Sequence, residues 1–398
     1  MTAESNPSSA SEIGQTVPFW RDPAKRGLVF QAVALCLVLA AGYYLFSTTQ
    51  ANLRRQSINT GFSFLSREAG FSIGESLISY SAADTYARAL LVGVLNTIKV
   101  AVIGNILILI LGVLIGVARL SSNWLVSKLA AGYIEVMQNI PVLLQLFFWY
   151  SLFHDILPSP RASIHPLTGV FFNNRGFYFP VPESHPAYIW AAAALGFGVL
   201  LCWLLQRWAR RRQALTGQIF PFWPVAIAIF IGFPLLAWLL GGAPTQMNVP
   251  HLEGFNFQGG ISLSPEFAAL LIGLVLYTTA FVAEIVRAGI QAISKGQSEA
   301  AMSLGLKPGL VLSLIILPQA LRVIIPPLTN QMLNLAKNCS LAVAIGYPDF
   351  VSVANTTINQ TGQAIEGVFM VMVVYLIFSL LTSAFMNWYN QKKALVER

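Results

Sequence analysis

The residues of this chain best placed to do chemistry are polar side chains set inside long apolar runs. Gln138, Asn139 and Gln145 share one run, Thr278 and Thr279 a second, and Lys337 with Asn338 a third. Polar groups in such settings are costly in a bilayer and mark solute pathways. Amides and hydroxyls offer acceptors to an ammonium and donors to a carboxylate, which is what a zwitterionic solute needs. The alternative use is hydrogen bonding between helices, and it stands equally open for each residue singly. Pro141 adds a backbone carbonyl freed one turn earlier. Glu135, Pro141, Glu284 and Arg287 are read as structural or gating residues, with Glu284 and Arg287, one helical turn apart, forming a local ion pair. Lys99 is read with Lys337 as pairing with a carbonyl or an acid.

Other chemistries find little support. The four histidines (His154, His165, His185 and His251) are dispersed through expected loops. Cys36, Cys202 and Cys339 lack the close spacing of a zinc site or redox pair and read as small buried residues. No Gly-Lys dipeptide occurs, so the chain has no phosphate-cradling loop of the G-x-x-x-x-G-K-[ST] kind. No metal, cofactor or catalytic residue is expected.

The elements that must position these residues follow from composition. Apolar residues make up 56% and charged residues only 10% of the 398, where a soluble domain carries about 25% charged. The expected fold is an all-α membrane protein of eight transmembrane helices, at 28–46, 90–117, 129–153, 188–206, 222–240, 266–288, one crossing within 311–346, and 368–388. The 311–346 stretch is interrupted by Pro318, Pro326 and Pro327. Gly112 and Gly116 give the second span a G-x-x-x-G face, read as intramolecular packing. At about 1.5 Å per residue Asn139, about ten residues into the third span, is expected near mid-bilayer.

Basic residues orient the bundle. The N-terminal arm, Arg119 with Lys128, the Arg207, Arg210, Arg211, Arg212 cluster, Lys295 with Lys307, and the C-terminal tail hold fourteen; the opposite loops hold six. By the positive-inside rule both termini face the cytoplasm. The same bias accounts for the net charge of +8 without nucleic acid, and the arginine cluster is expected to meet anionic lipid.

That orientation puts 289–309 in the cytoplasm. Ser298 is expected to cap a two-turn helix there, ended by Gly305, Pro308 and Gly309, with Ala300, Ala301 and Leu304 on one side for close docking of a partner. The run Glu299-Ala300-Ala301, then Gly305, then Ile316-Leu317-Pro318, resembles the EAA loop of ABC importer permeases. Tyr277, Ala283 to Ile290, Gly296-Gln297, the third-span series Tyr133, Glu135, Gln138 to Pro141 and Gln145 to Phe148, Gly93 with Asn96-Thr97, and Lys337 to Leu341 are similar to the polar amino acid uptake family. Gln138 stands where that family usually has Arg, and Cys339 where it usually has Thr.

The resemblance covers 89–153 and 266–388, implied to be a five-span permease core. It leaves 1–26 as a cytoplasmic arm, 27–88 as an extra first span with a periplasmic loop, 154–265 as an insertion of a periplasmic loop and two spans, and 389–398 as a cytoplasmic tail. This longer form resembles the permeases of bacterial general L-amino acid importers. It implies a multi-pass inner-membrane subunit importing amino acids by alternating access. Ser298, Glu299, Ala300, Ala301, Leu304 and Gly305 would couple it to a cytoplasmic ATPase dimer that binds ATP and Mg. The remaining implied partners are a second permease subunit, either a copy or, in preference, a paralogue, and a periplasmic amino-acid-binding protein. The rival is an ion-coupled secondary transporter of small polar solutes, which would want a titratable acid deep in the membrane.

Overall fold

The computed structural model describes residues 23–55 and 61–393. Most of the expected arm and the last residues of the expected tail lie outside them, and the final helix continues to Lys393. Among the described residues seven helices are long and apolar enough to cross a membrane, or eight if one sharply bent pair is a single span.

Two helices form the centre, α2 (Tyr86–Arg119) and α7 (Pro265–Gln291). Each starts at a hydroxyl cap: Thr85 Oγ1 accepts from Arg88 N and Ser264 Oγ from Phe267 N. No water is expelled when helices meet in lipid, so their attraction comes from close packing, and small residues decide where it happens. Gly112 and Gly116 face α7 so closely that a Cβ would lie 2.3 Å from Val282 Cγ1 and 2.7 Å from the Ala283 carbonyl. The G-x-x-x-G face is thus an internal seam. Gly289 of α7 repeats the device against Ile324 of α10 (Leu317–Asn338).

The expected third span is not straight. It divides into α3 (Trp124–Asn139) and α4 (Val142–Ser151), the latter extended by a π turn at Leu152–Ile156, and the two parts meet at 101°. Ile140 is driven out of helical conformation, at φ −96° and ψ 124°, because it precedes Pro141. Asn139 therefore ends a helix, and its placement at mid-bilayer by counting along a straight span no longer holds. By contrast the chain passes Pro326 and Pro327 without leaving the helix. It accommodates Pro318 with a π turn at Leu312–Ile316, so 308–345 is a single candidate crossing.

The insertion supplies α5 (Pro186–Thr216) and α6 (Phe222–Leu240), packed on each other at Gly198 and Ile229 and through stacked Phe197 and Phe233. Its outer connections fold into short antiparallel pairings the sequence reading left as loop. β1 (Phe171–Asn173) and β2 (Gly176–Phe179) continue to β7 (Ile261–Leu263) in one sheet. Two further pairs are β3 (Val181–Pro182) with β4 (Met247–Asn248) and β5 (His251–Glu253) with β6 (Asn256–Gln258).

The additional first helix, α1 (Pro23–Arg55), buries none of its spanning window. Cys36 on it is exposed and Cys202 on α5 is half-buried, so of the three cysteines only Cys339 has the buried setting expected. Cys36 lies on a helix that buries none of its spanning window, and Cys202 lies on the α5–α6 hairpin, where its thiol reaches the Ala226 carbonyl at 3.8 Å. A short helix, α8 (Lys295–Ser303), joins α7 to α9 (Pro308–Val311). At the other end α11 (Phe350–Thr361) leads into the last crossing, α12 (Ala364–Lys393).

Candidate functional site

Three places gather the polar residues. At the end of the bundle that carries α8, a cavity of about 300 Å³ is lined by Arg119, Ala131, Ile134, Glu135, Gln138, Glu284 and Arg287. The Glu284–Arg287 pair is present, with Arg287 Nε donating to Glu284 Oε2 at 2.9 Å. Gln138 Nε2 reaches the Ala280 carbonyl at 3.4 Å, and Tyr133 Oη donates to the Leu276 carbonyl at 2.6 Å, fixing α3 on α7. Thr278 and Thr279 are buried in α7 at this level, Thr279 beside Tyr133.

The second place is the break. Gln145 Nε2 donates to the carbonyls of Met137 and Ile140, both at 3.0 Å. Met137 is the residue four before Pro141, so its carbonyl is the one that proline deprives of a donor. Gln145 thus closes the gap that Pro141 opens, and lines a separate cavity of about 280 Å³ with Met137, Ile140, Leu144, Phe148 and Trp149. Asn139 Nδ2 turns back to the Glu135 carbonyl at 2.6 Å. The expected path residues are therefore not assembled into one pocket: Gln138 and Gln145 line different cavities. Lys337 is exposed near the far end of α10, beside the half-buried Asn338.

The α8 loop departs from the sequence reading in two details. Ser294 rather than Ser298 precedes the helix, so Ser298 lies inside it; Gly296 and Gln297 fall in the first turn, and Gln297 N donates to the Ser294 carbonyl at 3.1 Å. Ala300 and Leu304 do share an exposed face, but Ala301, one residue and about 100° round, is buried against the bundle. Ala301 anchors the helix while Ala300, Leu304 (83% exposed) and Glu299 remain open. Gly305 ends it at φ +83°, a conformation in which a side chain is strained.

Sequence reasoning missed the third place. At the opposite end of α7, a cavity of about 340 Å³ is lined by residues 71–75, Ser264, Glu266, Gly346, Pro348, Ser352, Val353 and Thr356. Lys99 Nζ pairs with Glu75 Oε1 and stands 4.1 Å from the centre of the Phe267 ring. Ser264 Oγ donates to Glu75 Oε2 at 2.6 Å. Asn96 Nδ2 donates to the carbonyls of Glu75 and Pro348, and Thr97 Oγ1 accepts from Phe350 N. The Asn96-Thr97 pair was visible in the sequence; what it binds was not. Asp349, wholly buried at the start of α11, has its pKa pushed up to about 6 by burial, against the Ser352 and Val351 backbone donors that favour its charge.

Residues 108–394 match the family described as binding-protein-dependent transport system inner membrane component, more than half of the chain. The chain belongs to that family. The permease is 48% identical over 377 residues to the general L-amino acid transport system permease protein AapQ of Rhizobium johnstonii, covering 95% of this chain and 94% of that protein. It is 50% identical over 378 residues to the putative amino-acid ABC transporter permease protein YhdX of Escherichia coli, covering 95% and 96%. It is also 40% identical over 410 residues to the glutamate/glutamine/aspartate/asparagine transport system permease protein BztB of Rhodobacter capsulatus, covering 95% and 96%. These similarities run through the first helix and the insertion as well as the core. At its two departures from the family pattern the permease has Gln138 bonded to the α7 backbone and a buried Cys339 whose thiol donates to the Leu335 carbonyl at 3.4 Å.

Proposed function

We propose that this permease is the membrane subunit of an ATP-driven, binding-protein-dependent importer of amino acids, with both termini cytoplasmic. Its α8 helix is the contact for a partner ATPase pair that binds ATP and Mg. The observation that carries the reading is the placement of α8: a nine-residue helix between two crossings, anchored by Ala301 and presenting Ala300 and Leu304 outward. A helix held on one side and bare on the other suits transmission of a partner's movement into α7 and α9. ATP-driven closure of the ATPases then biases the bundle between inward-facing and outward-facing states, with the Glu135, Glu284, Arg287 cavity at the end of the bundle that carries the moving helix. The names of the relatives support amino acids as cargo. In this reading a periplasmic binding protein delivers them to a pair of permeases, this chain and a second permease subunit. Against the ion-coupled alternative, Glu284 is tied to Arg287 at the α8 end.

The test is copurification in mild detergent with the ATPase subunit expressed alongside. The parent chain should retain the ATPase, and Gly305→Asp should release it while the permease keeps its elution profile. An intact parent that binds no ATPase sinks the reading.

A further inference from the structure

The cavity at the end opposite α8 has a charge arrangement that the coupling mechanism does not use. Its donors are Ser264 Oγ, the cap of α7, which lines the cavity, and Lys99 Nζ of α2, which lies outside the lining and meets the cavity through Glu75. The carboxylate they hold, Glu75, sits in a segment with no helix or strand. Rigid donors with an acceptor on an irregular loop form a site in which the acceptor can be exchanged. A free α-carboxylate offers the same two oxygens to the same two donors.

Glu266 lines the same cavity and has no ion-pair partner among the described residues. Two wholly buried polar atoms beside the site, Asn96 Oδ1 and Tyr347 Oη, also lack a partner. Asn96 is bonded through its amide nitrogen to the Glu75 carbonyl, and Tyr347 joins Gly346 and Pro348 of the cavity wall. Groups this buried are ordinarily satisfied, so unsatisfied ones mark a place where a ligand or water completes the network. A volume of about 340 Å³ is ample for an amino acid, which fills on the order of 100–200 Å³.

We infer that this cavity is an entry station for the zwitterionic head of an α-amino acid. Lys99 and Ser264 take the substrate carboxylate in place of Glu75, and Glu266 takes the ammonium. Glu75 is then an internal stand-in: it keeps Lys99 neutralised when the station is empty and yields when substrate arrives. The inference rests on the importer reading and adds to it a site, a ligand head group and a competitor built into the chain.

The opposed roles give opposed expectations. The complete transporter, with its paralogous permease and ATPases but without binding protein, is titrated with radiolabelled L-glutamine, and with unlabelled L-glutamine, its α-amide and its N-acetyl derivative as competitors. Glu75→Gln should tighten binding several-fold by removing the competitor. Lys99→Met, which keeps an apolar stem over Phe267, should weaken it at least tenfold, and Glu266→Gln should abolish the preference for a free amine. Both blocked derivatives should compete poorly against the parent.

If Glu75→Gln and Lys99→Met shift binding in the same direction, or if neither moves it, the pair is a structural tie and the station is refuted. A parent transporter that imports glutamine with ATP and binding protein yet shows no binding at millimolar glutamine also refutes it, while leaving the importer reading intact. A parent that fails to import any amino acid removes both.

Discussion

The α2–α7 centre and the α5–α6 insertion are built from similarly apolar helices, yet they spend that apolarity differently. In α7, 61% of the spanning window is buried within the protein; in α5 and α6 the figure is 6% each. The centre places glycines where a neighbour's backbone arrives and buries polar side chains such as Asn96, Thr97, Thr278 and Thr279 among its helices. The insertion packs its two helices on each other and turns Ile227, Phe230, Ile231, Leu235 and Leu236 outward. In water such a surface would signal a missing partner. In lipid it is the ordinary exterior, so the difference separates a densely packed core from a peripheral hairpin solvated by the bilayer.

The sharpest way to break that comparison is to place the same side chain in both regions. A Cβ at Gly116 would lie 2.7 Å from the Ala283 carbonyl and 2.9 Å from Val286 Cβ, whereas at Gly196 of α5 nothing stands within 4 Å. Gly116→Leu should cost about 3 kcal/mol or more, because backbone oxygen cannot yield as a side-chain tip can. It should lower the melting temperature in detergent and abolish transport. Gly196→Leu should leave both unchanged. Equal losses from the two would mean that the insertion is packed as tightly as the core.

Asp349 tests the core's tolerance of a buried charge. Its pKa rises from 3.8 to about 6 on folding because burial disfavours the carboxylate. The folded state therefore keeps a proton that the unfolded state loses, and stability falls as pH rises from about 4 to about 6 and is level above that. The shift corresponds to on the order of 3 kcal/mol. Subtracting the unfolding curves of Asp349→Asn from those of the parent between pH 4 and 7 should isolate this slope. A flat difference would show that water reaches the group. A smaller effect is expected at the bend: Gln145→Leu keeps the volume but strands the Met137 and Ile140 carbonyls, at about 1–2 kcal/mol. The loss should appear as lower thermal stability and faster proteolysis near 140.

How much of this could be read in the sequence depended on the range of the interaction. The bounds of α6, Phe222–Leu240, coincide with the expected span because its stops, Pro221 and Gly241, are its immediate neighbours. Pro141 announced a freed carbonyl, but a bend as large as 101° also needs Gln145 to hold the two carbonyls, a tertiary outcome invisible to periodicity. Ser298 was read as the cap, whereas the helix begins one turn earlier, after Ser294, and burial of Ala301, which depends on tertiary packing, sets which way the helix faces. Glu75 was overlooked because it lies in a loop without pattern, and its partner Lys99 comes 24 residues later. The cavity opposite α8 draws on three separate stretches of chain, 71–75, 264–266 and 346–356, so no local spacing could have disclosed it.

The smallest effect is expected at the insertion's arginines, and it distinguishes a lipid-facing hairpin from a protein-facing one. Arg207 stacks over Trp203 at 3.9 Å and Arg212 over Trp208 at 5.4 Å, at the end of α5 where the helix is ended by Gly217 at φ +70°. Indole rings prefer the headgroup level, and each basic residue near an anionic surface gains about 1 kcal/mol. That gain depends on the lipid and is screened by salt. Replacing Arg207, Arg210, Arg211 and Arg212 together by Gln should therefore leave stability in neutral detergent within about 0.5 kcal/mol of the parent, as expected of surface changes. In the same protein, the rise in melting temperature produced by adding phosphatidylglycerol should shrink, and phosphatidylcholine should show no such difference. A large loss in neutral detergent would instead place the cluster against protein, and the division between core and insertion would have to be redrawn.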